Sequence, residues 1–95
     1  MDASNVLDQF ISNYRVGVAD AAQHGDEMDQ RANRECLALL LRLRDETITS
    51  AGLAVQIDAY EISKALAKDK GDHVAEYAAQ ECASMLTSLR RALRS

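Results

Sequence analysis

Apolar residues recur along this chain at intervals of three and four, the spacing that places side chains on one face of an α-helix. Leu7, Phe10, Ile11, Tyr14, Val18 and Ala21 follow it through the first segment. Met28, Ala32, Cys36, Leu39, Leu40, Leu43 and Thr47 make a stripe in the second. At about 100° per residue, Leu37, Leu41 and Ile48 form another stripe about 100° away, and Arg44 lies within it. The third segment is also two-sided: Leu53, Ile57, Tyr60 and Ala67 fall on one side, and Val55, Ala59, Ile62 and Leu66 nearly opposite. The first and last segments each show a single face.

Glycines and charged residues mark where these stripes begin and end. Gly25, Gly52 and Gly71 divide the chain into four. Asp2 or Ser4 is placed to cap the first helix, and "DEMD" opens the second with acids where the helix dipole favours them. Ser50 is a candidate cap for the third helix, which closes on "KALAKDKG" with lysines before a stop glycine. Asp72 caps the fourth, which ends in Arg90, Arg91 and Arg94. The pattern predicts helices over about 3–23, 26–48, 53–69 and 73–93. A single glycine costs only about 1 kcal/mol inside a helix, so the second and third helices could be continuous, or merely kinked, at Gly52.

The 95 residues allow one domain, 1–95, and the absence of proline with few aromatics favours helices throughout. Short connections make successive helices antiparallel, so the expected fold is an all-α bundle of four helices running up, down, up and down. In such a bundle each helix needs one apolar face, and two double-faced helices need further neighbours. This makes Leu37, Leu41, Ile48, Val55, Ile62 and Leu66 the candidate protein interface, with a homodimer or another helical protein as the partner. The alternative is that helices one and four flank the central pair, or that a few leucines are simply exposed. On the interface reading, Leu41→Asp breaks association and leaves each chain helical, while Leu40→Ala opens a core cavity.

Composition narrows the classes of function. Apolar residues make up 47% and charged residues 27%, which suits a folded globular chain rather than a disordered one. The net charge of −4 disfavours general nucleic-acid binding, although the end of the chain, "LRRALRS", is locally basic. The first residues carry neither a basic start nor a continuous apolar run, and "LALLL" is far shorter than a membrane span of about 20 residues. A cytoplasmic protein without membrane contact is expected, and two cysteines 46 positions apart fit a reducing compartment.

Few residues suggest chemistry. Asp20 with His24 and Asp69 with His73 offer carboxylate and imidazole groups at one end of the bundle, chemistry that transition metals accept but that helix ends carry routinely. Cys36 and Cys82 fall at one level, yet in the simplest bundle helices two and four are diagonal, too far apart for a disulfide, so both read as buried small hydrophobes. No nucleophile with a base, no paired inward carboxylates and no phosphate-cradling loop is present, so neither an enzyme nor a cofactor is expected. The small and apolar positions of "GLAVQIDAYEISKAL", residues 52–66, resemble a helix-turn-helix, which makes a small DNA-binding regulator the second function considered. Gln56 stands where that motif has its turn glycine, and the would-be recognition helix carries Asp58 and Glu61 against Lys64. "YAAQE", from Tyr77 to Glu81, is similar over five residues to the Tyr-x-x-x-Asp/Glu export signal of the small helical WXG proteins. Their Trp-x-Gly turn is absent.

Overall fold

The computed structural model describes residues 3–94 of the chain. Four helices account for almost all of them: α1 (Ala3–His24), α2 (Glu27–Arg44), α3 (Ser50–Asp69) and α4 (His73–Arg94). The described residues contain no strand, and the protein is an all-α bundle.

Local chemistry sets each boundary. Asp26 caps α2, its carboxylate accepting from the Asp29 amide at 2.9 Å. Asp72 does the same for α4, accepting from the Ala75 amide at 3.1 Å. Between α3 and α4 the chain turns on Gly71, which has φ +73, the left-handed conformation that glycine adopts without steric cost. There the Asp72 amide reaches back to the Ala67 carbonyl at 2.9 Å, and the Gly71 amide to Lys68 at 3.1 Å, satisfying carbonyls that the end of α3 would leave orphaned. A Cβ on Gly71 would meet nothing within 4 Å, so its cost is purely conformational. Gly71→Ala should therefore lower stability by about 1 kcal/mol, read as a small drop in urea midpoint with helical content unchanged.

The break between α2 and α3 differs from the expected one. It falls over residues 45–49, so α2 stops short of 48 and α3 starts before 53; the helices are neither continuous nor kinked at Gly52. Two features account for this. Thr47, Ile48 and Thr49 form a β-branched run that disfavours helix, and the Thr49 hydroxyl accepts from the Gly52 amide at 2.9 Å. Gly52 thus sits inside the first turn of α3 with its N–H satisfied by the cap. Thr49, not Ser50, is that cap; the Ser50 hydroxyl instead accepts from Arg90 Nε at 2.9 Å and Arg94 Nη2 at 3.3 Å. Ser4 lies within α1 rather than capping it, and Asp2 lies outside the described residues.

The helices alternate in direction as expected, but their neighbours do not. α1 packs on α2, and α3 packs on α4. The two hairpins then meet along α2 and α4, which run parallel: Tyr77 near the start of α4 donates to Asp29 near the start of α2, and farther along Cys82 meets Cys36. Helices two and four are therefore direct neighbours and not diagonal. The α4 backbone packs on all three other helices, whereas the α3 backbone packs on α4 alone.

The composition of α4 explains its central place. Ala78, Ala79, Cys82, Ala83, Met85, Leu86 and Leu89 are all buried, and they spread over roughly 160° of the helix surface at about 100° per residue. Three alanines keep that surface low and let neighbouring backbones approach. Leu39, Leu40 and Leu43 of α2, Val6, Leu7 and Ile11 of α1, and Leu53 of α3 complete the core. The second stripe is absorbed within the chain, since Leu37 and Leu41 of α2, and Ile48 in the connection after it, are partly buried and packed against this core.

Candidate functional site

α3 is the helix whose two faces end in different environments. Leu53 and Ala67 are buried, and Ile57 and Tyr60 pack partly buried against the core. The opposite face is open. Val55 is 68% exposed, Ile62 61% and Leu66 55%. At about 100° per residue these three side chains lie within about 40° of one another, pointing away from α4. Of the six residues expected at an interface, the three on α3 are thus open, and Leu37, Leu41 and Ile48 are partly buried against the chain's own core.

Alternate steps of three and four extend this open face into a longer seam. Gly52, Val55, Ala59, Ile62, Leu66 and Asp69 occupy successive a and d positions of a heptad pattern, and every one of them is exposed. The reading from sequence included Val55, Ala59, Ile62 and Leu66 but not the two ends. The signal was present in the same spacing carried one step farther in each direction.

Because the α2 and α3 backbones lie apart, a groove of about 450 Å³ opens between them. Leu39 and Leu43 line its α2 wall, Ala59 and Tyr60 its α3 wall, and Arg42 and Glu46 add charge. It is a shallow cleft of mixed polarity.

One residue from each helix meets inside the bundle at the level of this groove. The Cys36 thiol of α2 donates to Cys82 Sγ of α4 at 3.8 Å, and both residues are 0% exposed. The Tyr14 phenol of α1 lies beside Cys36; burial, then the neighbouring thiol and Glu81, push its pKa well up. The Tyr60 phenol of α3 lies beside Cys82, and burial followed by that thiol raises it too. Within the thiol pair, Cys36 keeps its proton because it donates to Cys82 and is buried, while Cys82 is held down by accepting that hydrogen bond. Sequence spacing put each cysteine on an apolar stripe, and the burial agrees. The separation inferred from a diagonal arrangement is wrong, because α2 and α4 are neighbours.

Other candidates are dispersed. Asp20, His24, Asp69 and His73 are all exposed, and His73 Nδ1 lies 3.8 Å from Glu76 of its own helix. Among the described residues no three His, Cys, Asp or Glu side chains gather into a group able to hold a metal ion. Residues 52–66 lie within one unbroken helix, so the turn that a helix-turn-helix needs at Gln56 is not there. Tyr77 of the five-residue export resemblance lies partly buried against α2, its phenol pushed up chiefly by Glu81 one turn along. Among the described residues no helix is long and apolar enough to cross a membrane. Compared with known proteins, the chain matches no protein-family model, no curated protein and no solved structure.

Proposed function

We propose that this chain is a small helical protein-interaction module that pairs with a second copy of itself through the outer face of α3. The observation that carries this reading is the exposure of Val55, Ile62 and Leu66 on one narrow stripe, while the large apolar residues of α2 are drawn into the core. Such a stripe in water favours covering, and an a/d seam favours covering by another helix.

Side-chain size and charge select an antiparallel partner. In that arrangement a and d positions face each other, so Val55 lies against Leu66 of the second copy and Ala59 against its Ile62. Each layer then combines a smaller with a larger residue. A parallel pair would set Gly52 against Gly52 and Ala59 against Ala59, leaving gaps in those two layers. Antiparallel pairing also brings Asp69 to the N-terminus of the other α3. The helix dipole is positive there, and Arg90 and Arg94 already cluster on Ser50. A parallel pair would place the two arginine clusters together.

A single pair of helices buries little surface, so the dissociation constant should lie on the order of micromolar. Light scattering across a dilution series tests this. The parent mass should rise from near 10.4 kDa towards twice that value with concentration, and Ile62→Asp should remain at the lower mass, with the helical signal and melting of the dilute parent. A parent that stays monomeric throughout, or an Ile62→Asp variant that assembles as the parent does, overturns the proposal.

A further inference from the structure

We propose that Cys36 and Cys82 form a site of reversible oxidation, at which a two-electron oxidant of the peroxide class joins α2 to α4 through an intrachain disulfide. The two sulfurs are already in contact at 3.8 Å, and both thiols are free. A disulfide requires about 2.05 Å, so the pair must close by less than about 2 Å. The surroundings permit this approach. Ala78, Ala79 and Ala83 flank Cys82, and Ala32 precedes Cys36 by one turn on the same face; all four are buried, so the α2 and α4 backbones meet over small side chains.

The groove between α2 and α3 supplies a route for the oxidant. Tyr60 and Leu39 line it, and Tyr60 lies directly beside Cys82, so one layer of side chains separates a solute in the groove from the thiols. The α3 backbone packs on α4 and on neither α1 nor α2, so outward movement of Tyr60 does not require α1 and α2 to separate.

The position of the groove assigns the order of events. Cys82, beside the groove-lining Tyr60, is the sulfur nearer the oxidant's route, and as its thiolate it attacks the peroxide. The O–O bond breaks, the departing oxygen takes up the proton that the Cys82 thiol gave up and leaves as water, and a sulfenic acid remains on Cys82. The Cys36 sulfur then attacks the Cys82 sulfur. The S–O bond breaks, and the released hydroxide takes the Cys36 proton as a second water. Overall two thiols lose two electrons and two protons, and one peroxide becomes two waters. The hydrogen bond from Cys36 favours a thiolate on Cys82, while burial, then Glu35 and Glu81, oppose it.

Exposure of the folded parent chain to hydrogen peroxide, followed by alkylation in denaturant and intact-mass measurement, tests the proposal. The expected product is about 2 Da lighter than the reduced chain, takes up no alkylating agent and yields a cross-linked peptide containing both cysteines. Its melting temperature should rise by more than about 10 °C, and dithiothreitol should reverse the shift. Cys36→Ser should instead stop at a Cys82 sulfenic acid that dimedone captures. Two alkylated cysteines in the treated folded chain, oxidation of a single cysteine without a link, or a disulfide only between chains would overturn it, and these readouts on the parent do not depend on how the variant folds.

Discussion

Leu40→Ala is expected to lower the unfolding free energy by about 3–4 kcal/mol. Leu40 is 0% exposed and belongs to the core that α2 builds with α1 and α4. Truncation removes the transfer free energy of the lost carbons and leaves a cavity that helices pinned on two sides cannot easily close. A domain of this length has a total stability of roughly 5–14 kcal/mol, so the loss is a large share of the whole. In urea the midpoint should fall while the slope stays constant, because the surface exposed on unfolding hardly changes. Ile62→Ala, measured in dilute protein where chains are single, should shift stability by no more than about 0.5 kcal/mol, since that side chain lies in water. Equal losses for the two variants would mean that α3 is packed on its outer side.

Leu41→Asp is expected to destabilise the chain by about 2–4 kcal/mol rather than merely separate copies of it. Leu41 is partly buried against the core, so the introduced carboxylate would lose solvation without gaining a partner. Burial raises the pKa of such a carboxyl above its unfolded value. The penalty is therefore complete above the raised value and shrinks as the pH falls towards the unfolded one. Chemical denaturation of variant and parent at neutral pH and near pH 4 checks both the size and the sign. An Leu41→Asp chain as stable as the parent at neutral pH would place Leu41 on the surface and return the second α2 stripe to the list of open faces.

The contrast between Leu41 and Ile62 shows what periodicity conveys. Both helices carry two apolar stripes, and the spacing identifies the members of each because angular position is a local property of the helix. It does not identify what lies opposite. α2 has α1 and α4 as neighbours, which use both its stripes, while α3 has α4 alone and uses one. That neighbour order depends on α4, whose wide buried face is built partly from Ala78, Ala79 and Ala83. Alanines contribute little to a hydrophobic pattern, so the helix that all the others touch looks one-sided in sequence.

The break between α2 and α3 was hidden for a related reason. Gly52 draws attention as a breaker, but the conformation is decided by the Thr47 to Thr49 run and by one hydroxyl accepting one amide. The cysteine pair was within reach of the spacing argument, which put both residues on inner stripes at one level. Only the adjacency of α2 and α4 turns that coincidence of level into contact, and adjacency of helices distant in sequence is a tertiary property.

The attachment of α3 along one side also sets how the molecule breathes. α1, α2 and the buried face of α4 support one another, so their amides should exchange with solvent deuterium only through openings close to global unfolding. α3 buries just Leu53 and Ala67 fully, and its release from α4 leaves the other hairpin and the α2 to α4 contact in place. Its amides are therefore expected to exchange before those of α2 and α4, as a segment that detaches and reseats while the remaining helices keep their order.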